Sequence, residues 1–466
     1  MLSLVRRAAV VFAAGALLSG AAMHGSAQAQ DPSIQAETLR EAAEAQGKFI
    51  GSAIADHRLS DATYNGIAST EFNSVTAENV MKWESIQPSR GSFNFAAGDR
   101  LVDFAQANDQ QVWGHTLVWH SQLPDWVENG GFDAAELTEI TDEHITTVMD
   151  HYEGDIAYWD VVNEAFNEDG TFRQSVFQQT IGEEYIANAF RTADAADPNA
   201  KLCINDYNIE GANAKSNGMY DLVQGLLADG VPIDCVGFQS HLILDSIPGD
   251  IQSNLQRFAD LGLEVIVTEL DIRITMPADS AELDRQADQF EGVVSACLAV
   301  DGCAGVTVWG FGDADSWVPD VFEGQGAACL YDESYQPKPA YDGVLAGLGG
   351  TPGGGPGPGP DPVEGCLATY QVTSRWNAGS VVQVGVTVEE AVSGWSVSFS
   401  LPAGESVTSH WNTQLTQAGT TVTARNAPYN GSIPAGGTLS FGFQTNSGAV
   451  YSAPVVSLNG AVCDAA

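Results

Sequence analysis

Eight apolar, β-branched runs recur through the first three quarters of the chain at roughly 25 to 45 residue intervals. They are FIGSAIA (49–55), FNSVTAE (72–78), QVWGHTLVW (111–119), AYWDVVNE (157–164), KLCINDYN (201–208), CVGFQSHL (235–242), EVIVTELDI (264–272) and GVTVWGFG (305–312). Between them, DAAELTEITDEHITTVMDHY (133–152) and SAELDRQADQFEGVVSACLA (280–299) place apolar residues at helical spacing. Eight strand–helix repeats predict an α/β domain closed as a (β/α)8 TIM barrel. Unusual polar and aromatic residues gather at the C-terminal ends of the runs: Glu78, His115, Trp119, Glu164, Tyr207, His241, Glu269 and Trp309. Barrels of this kind build their sites on that face.

The flanking segments have a different character. Arg6 and Arg7 precede an apolar run, Ala8 to Leu18, too short to span a bilayer, and Ala27-Gln28-Ala29 offers small residues for cleavage. Residues 1–29 therefore read as a secretory signal peptide, with the mature chain starting near Gln30 and exported to the extracellular space. The arginine pair also occurs in twin-arginine signals, but its surroundings fit the general route better. No later segment is long and apolar enough for a membrane span. The barrel occupies 30–349, and a Pro/Gly linker, 350–364, contains GGGPGPGPDP, which has no apolar surface to bury. Residues 365–466 are rich in Val, Thr, Ser and Gly without helical period, which predicts a small all-β sandwich.

In runs four and seven the stretches AYWDVVNE (157–164) and EVIVTE (264–269) each end on a glutamate, Glu164 and Glu269, and the two runs lie nearly opposite each other in an eight-membered ring. Two carboxylates flanking one sugar are the requirement for glycosidic bond cleavage. One gives a proton to the leaving oxygen, and the other attacks or stabilises the oxocarbenium-like carbon. His241, with Asp271 two residues past Glu269, suggests a hydrogen-bonded chain Glu269–His241–Asp271 that would orient and ionise Glu269.

At these residues the large domain resembles the family-10 glycoside hydrolases, the barrel endo-xylanases, over residues 40–348. The resemblance is carried by TAENVMKWESIQP (76–88), GHTLVWHSQLPDW (114–126), WDVVNEAF (159–166), NDYNIE (205–210), GFQSHL (237–242), VTELDI (267–272), VWGFGDADSW (308–317) and YQPKPAY (335–341). It implies endo-1,4-β-xylanase activity with net retention, Glu164 as general acid/base and Glu269 as nucleophile. Repulsion from the second carboxylate favours the protonated form of Glu164 in the first step. Esterification of Glu269 then removes that repulsion and frees Glu164 to act as a base towards water. Asn163 can hydrogen-bond the sugar 2-hydroxyl, a contact that strengthens in the transition state.

The sugar-binding wall follows from the same resemblance. Glu78, Asn79 and Lys82 match positions that bind the sugar two places toward the non-reducing end, and Lys82 is one of the chain's five lysines. His115, Trp119, Gln122, Gln239, Trp309 and Trp317 match the lining of the cleaved-bond pocket, and Tyr207 the platform on the leaving-group side. Gln122 and Trp317 crowd the space a glucose hydroxymethyl would need, so xylose is expected over glucose. Trp83, Trp113 and Trp126 are expected in the core.

The C-terminal stretch resembles the family-2 carbohydrate-binding modules through SRWNAG (374–379), SGWSVSFSLPAG (393–404), SHWNTQL (409–415), RNAPYNGSIPAGGTLSFGF (425–443) and VSLNGAVC (456–463). Trp376, Trp411 and Tyr429 match rings that stack on polysaccharide, and Trp395 matches a buried core residue. The third ring favours cellulose over xylan as the bound surface. Family pairing implies disulfides Cys203–Cys235, Cys297–Cys303 and Cys366–Cys463, leaving Cys329 as a buried free thiol. No cysteine spacing suggests a zinc site, and neither metal nor cofactor is expected.

Charge is the last unusual quantity. Sixty acidic and 18 basic residues give −42; residues 366–466 hold four acids and two bases, hence −2, leaving −40 to the rest. This suggests adaptation to salt, and it argues against nucleic acid or anionic membranes as partners. The expected partners are xylan as substrate and a cellulose or xylan surface for the module, with the chain a monomer. Two alternatives are a β-1,4-glucanase on the same barrel and a non-catalytic wall-binding protein. Retention of both glutamates, Asn163 and His241 speaks against the second.

Overall fold

The computed structural model describes residue 36, residues 38–350 and, within 366–465, all but 377–378, 390, 403, 419, 428–429, 448–453 and 460. The signal-peptide segment, the linker beyond Gly350 and Tyr429 lie outside the described residues. Eight strands, β1 (Phe49–Ile54), β2 (Ser74–Ala77), β3 (Gln111–Gly114), β4 (Tyr158–Asn163), β5 (Lys201–Asp206), β6 (Cys235–Phe238), β7 (Glu264–Thr275) and β8 (Cys303–Val308), pair in parallel, each with the next. Closure comes from β1 pairing in parallel with β8, Phe49 opposite Gly305 and Ser52 opposite Val308. The result is a closed eight-stranded barrel.

A helix follows each strand: α1 (Ala62–Thr70), α2 (Ala96–Ala107), α3 (Ala134–His151), α4 (Glu184–Ala196), α5 (Ala214–Ala228), α6 (Ile251–Ala259), α7 (Ser280–Leu298) and α8 (Pro339–Gly347). Barrel strands are buried on both faces, by helices outside and by one another's side chains inside. Their sequences are therefore near-continuous apolar runs; all six residues of β1 are buried. Side-chain caps set the starts of α1, α3, α5 and α7. Asp133 accepts from the Glu136 amide at α3, and Asp279 forms a reciprocal capping box with Glu282 at α7. Among the described residues, no helix is long and apolar enough to cross a membrane.

The strands differ from the apolar runs at their upper ends. QVWGHTLVW breaks after Gly114 and resumes as Val118–Trp119, which pairs with β4. CVGFQSHL breaks at Gln239–Ser240, with Ser240 at φ 63°, and resumes as His241–Ile243. β7 is longer than its run because His241–Ile243 and Gln325–Gly326 pair with its upper half. Glu269 therefore sits inside β7, not at its end. Trp83 and Trp113 are buried, whereas Trp126 is half-buried, its indole N–H donating to the Gln87 carbonyl at 3.2 Å.

Disulfides join Cys203 of β5 to Cys235 of β6, Cys297 of α7 to Cys303 of β8, and Cys366 to Cys463. Cys329 is a buried free thiol, its pKa pushed up by burial.

The C-terminal domain is all β. One sheet orders Val407–Trp411, Thr438–Thr445, Gly379–Val388, Cys366–Trp376 and Asp464–Ala465; a second orders Gln414–Ala418, Thr421–Arg425, Ser396–Ser400, Ser457–Leu458 and Ala461–Val462; and Val392–Ser393 pairs with Ser432–Ile433. Strand Gly379–Val388 alternates buried and half-buried positions, so Val382, Val384, Val386 and Val388 enter one core with Trp395, Val397, Phe399, Phe441 and Phe443.

Candidate active site

A cleft of about 780 Å3 opens at the C-terminal ends of the barrel strands. Glu78, Asn79, Lys82, His115, Trp119, Gln122, Asn163, Glu164, Tyr207, Gln239, His241, Glu269, Trp309 and Trp317 all line it. Asp271 stands behind this wall.

Glu164 follows the last residue of β4 and adopts φ 57°, a left-handed conformation that costs a non-glycine residue about 1–3 kcal/mol. Its backbone is fastened on both sides: its N–H donates to the Asn205 carbonyl at 2.8 Å, and Arg173 Nε donates to its carbonyl at 2.9 Å. These bonds turn the side chain into the cleft. Its Oε1 accepts from Gln239 Nε2 at 3.2 Å, and the same nitrogen lies 3.1 Å from Asn163 Oδ1. Asn205 continues the chain, donating through Nδ2 to Asn163 Oδ1 at 3.1 Å and to Glu269 Oε1 at 2.7 Å. Three amides thus tie the two glutamates together. With its oxygen occupied, Asn163 has its amide N–H groups left for a sugar hydroxyl.

The second oxygen of Glu269 faces His241. Nε2–H donates to Glu269 Oε2 at 3.1 Å, and Nδ1–H donates to Asp271 Oδ2 at 2.9 Å. Burial disfavours charge on this ring, but Asp271 and Glu269 outweigh it and hold the imidazole pKa at about 10. His241 is therefore an imidazolium at neutral pH. Trp317 is fixed by the same carboxylate, its indole N–H donating to Asp271 Oδ2 at 2.8 Å.

On the opposite wall Lys82 Nζ donates to Asn79 Oδ1 at 2.8 Å and to Gln122 Oε1 at 2.7 Å, 5.0 Å from the Trp119 ring centroid. Burial pushes its pKa down against the pull of Glu269 and Glu78, and burial pushes that of Glu78 up. Each group is thus partly desolvated and ready for sugar hydroxyls. His115 is buried against Asp160, Nδ1 to Oδ2 2.8 Å, and burial moves the ring down to about 4 and the carboxyl up to about 8. Near neutral pH the pair holds one proton between those atoms, and His115 is uncharged.

Several residues of the site were not singled out in the sequence. Asn205 lies in the NDYNIE block, but as a buried strand residue it carries no strand-end signal. Arg173 donates to Tyr207 Oη at 2.8 Å, and buried Lys215 sits 3.3 Å from the Tyr207 ring centroid while pairing with Asp206 at 2.9 Å. These two cations occupy the hydroxyl and one face of Tyr207, leaving the other face for a sugar. His120 Nδ1 lies 3.8 Å from Glu164 Oε2, and Ser121, Glu168, Asn208, Arg273, Val321 and Phe322 also line the cleft.

The family follows from sequence matches on top of this geometry. Residues 38–347 match glycosyl hydrolase family 10. The chain belongs to that family. Residues 366–463 match the cellulose binding domain family. Among curated proteins, it is 52% identical over 302 residues to an endo-1,4-beta-xylanase of Agaricus bisporus, covering 64% of this chain and 91% of that one. Endo-1,4-beta-xylanase A of Phanerodontia chrysosporium is 47% identical over 314 residues, 67% of this chain and 77% of that one. Among solved structures, xylanase 10B from Thermotoga petrophila in complex with xylobiose is 43% identical with a TM-score of 0.66, covering 67% of this chain and 97% of that one.

In the cellulose-binding domain the indoles of Trp376 and Trp411 are 45% and 37% exposed, while Trp395 is buried and donates to the Asn430 carbonyl. Each exposed ring lies over a glycine of the neighbouring strand. A Cβ on Gly379 would come 2.3 Å from the Trp376 ring, and one on Gly442 2.2 Å from Trp411. The bare backbone beneath lets both rings lie against the sheet.

Proposed function

We propose that this chain is a secreted endo-1,4-β-xylanase that hydrolyses internal xylosidic bonds with retention and is anchored to cellulose by its C-terminal domain. The observation that carries the reading is the unequal fastening of two glutamates in one cleft. Glu269 receives Asn205 on one oxygen and the His241 imidazolium on the other, which suits a permanently ionised nucleophile. Among the described residues the one hydrogen bond to the Glu164 carboxyl comes from the neutral Gln239 amide, with His120 Nδ1 3.8 Å from its other oxygen, which suits a group that must change protonation twice. Attack by Glu269 expels the leaving sugar as Glu164 protonates its oxygen; Glu164 then deprotonates the water that releases the product.

The subsite roles follow in the same frame. Glu78, Asn79 and Lys82 bind the glycone, and Tyr207 stacks the leaving-group sugar. Gln122 and Trp317 exclude a hydroxymethyl group from the cleaved-bond pocket. Residues 1–29 are read as the export signal, 30–349 as the catalytic barrel, 350–364 as the linker and 365–466 as the anchoring domain. Trp376 and Trp411 are assigned to its polysaccharide binding, and Tyr429 joins them by its match to the family's third ring. Time-resolved products from unbranched xylan and soluble cellulose test the activity. Rapid formation of mixed xylo-oligosaccharides, with cellulose cleaved far more slowly, is expected; equal rates would favour a glucanase.

A further inference from the structure

Behind the glycone wall a buried polar knot is centred on Gln87, which is 1% exposed. Its side-chain oxygen takes two N–H donors, Trp83 Nε1 at 3.0 Å and His144 Nδ1 at 2.9 Å. Its backbone oxygen takes a third, Trp126 Nε1 at 3.2 Å. An indole N–H can only donate, so the side-chain oxygen is an acceptor and the proton of His144 sits on Nδ1. Among the described residues His144 Nε2 has no hydrogen-bond partner, and burial moves the ring pKa down to about 3. The ring is therefore neutral. It is anchored by one hydrogen bond and by its stack on Trp83, centroids 3.7 Å apart and planes 4° apart.

These contacts join three segments. Trp83–Ile86 forms a single helical turn directly after Lys82, whose carbonyl accepts the Ser85 and Ile86 amides at 2.9 and 3.0 Å. Gln87 closes the turn, its N–H donating to the Trp83 carbonyl at 2.8 Å. His144 belongs to α3. Trp126 follows Gln122 by four residues, and the Gln122 carbonyl accepts the Glu84 amide at 3.1 Å. Both backbones that carry the Lys82–Gln122 contact, Nζ to Oε1 2.7 Å, are thus fastened to one buried amide. Phe177 and Phe93 flank the Trp83–His144 stack, centroids 5.9 and 6.3 Å away. Packing of rings fills this space without fixing angles, whereas three hydrogen bonds on one residue do fix them.

We propose that Gln87, through Trp83 and His144, is a positioning residue for the glycone subsite: it sets where Lys82 and Gln122 stand, and so how much the second glycone sugar contributes to cleavage. None of the three lines the cleft, so they act through the two residues that do. A shift of about 1 Å in a group that positions substrate can cost on the order of a hundredfold in rate. The inference rests on the xylanase reading and on its glycone assignment.

The test compares kcat/KM on an aryl β-xylobioside and the matching aryl β-xyloside, which differ only in the sugar that reaches Lys82. In the full chain the ratio between them should fall by about tenfold in Gln87→Leu, within the range such a shift allows. Gln87→Glu keeps an oxygen for both donors and should retain most of the ratio. His144→Phe keeps a ring against Trp83 but removes one donor, and should fall between. The ratio does not depend on how much enzyme is folded, and a merely structural loss lowers both substrates alike. A ratio in Gln87→Leu and His144→Phe equal to the native one overturns the positioning role. A native ratio near one overturns the glycone assignment instead, and failure of the native chain to cleave the xylobioside overturns the xylanase reading.

Discussion

His241 Nε2 lies 3.1 Å from Glu269 Oε2, so the proposed nucleophile is held by a buried cation and not by a neutral donor. The other ring nitrogen is committed to Asp271, and the ring pKa rises from an ordinary 6.5 to about 10. A raised folded-state pKa contributes stability that is complete below pH 6.5 and is lost as pH rises through about 10. The melting-temperature gap between native protein and His241→Gln should therefore be widest near pH 6.5 and shrink towards pH 10. A constant gap across that range would contradict an imidazolium here.

Glu269→Ala should abolish hydrolysis while the fold persists, and azide should restore cleavage of an activated aryl glycoside with an inverted product. Glu164→Ala should spare glycosyl-enzyme formation on aryl substrates with good leaving groups, because those need no proton. Burst kinetics and product anomers read both variants. More than a few per cent of native activity in Glu269→Ala would remove it from the nucleophile's role.

Enlarging the cleaved-bond pocket should shift selectivity from xylo- to cello-oligosaccharides by roughly 1–3 kcal/mol. Gln122→Ala is the cleaner variant, since Gln122 touches Lys82 and not the nucleophile chain. Trp317→Ala should cost more total activity, because it takes away a donor to Asp271. The ratio of kcat/KM values on the two substrates measures this, and an unmoved ratio in both variants would refute the crowding argument.

Removing residues 350–466 should leave hydrolysis of soluble xylan nearly unchanged but abolish adsorption to microcrystalline cellulose, since tethering acts through local concentration. Trp376→Ala or Trp411→Ala should each lose most of that adsorption. Gly379→Ala should lose part of it by lifting the Trp376 ring off the backbone beneath. Equal binding isotherms for the truncated and full chains would move the binding function elsewhere.

Raising sodium chloride from roughly 0.1 M to 1 M, which shortens the screening length from about 10 Å to 3 Å, should stabilise the catalytic domain. Its −40 charge repels itself in the compact state, whereas the −2 of residues 366–466 gives the other domain little to gain. Calorimetry of the full chain should show one transition moving upward and the other nearly still. A stationary catalytic transition would make the acidity incidental.

The barrel was legible because strands buried on both faces must be apolar throughout, and the candidate site because Glu164 and Glu269 follow apolar stretches in recognisable motifs. What the runs could not mark was where pairing stops. His115 and Gln239 sit beyond their strands, while β7 runs on past Glu269 because distant segments pair with it. Residues acting through tertiary contacts were also silent. Asn205 reads as one more strand residue, Arg173 as a loop arginine, and Lys215 as a helix lysine, yet they orient Glu269, Glu164 and Tyr207. The bond from Trp317 to Asp271 spans 46 residues and no local pattern carries it.

The division of labour between Glu269 and Glu164 is tested most directly by the anomeric configuration of the product at the moment of its release, followed by proton NMR on a xylo-oligosaccharide before mutarotation. Attack by Glu269 followed by water on the opposite face, the one the leaving sugar vacated, predicts that the β-anomer appears first and decays towards equilibrium. First appearance of the α-anomer would mean that water attacks directly, and would contradict the account.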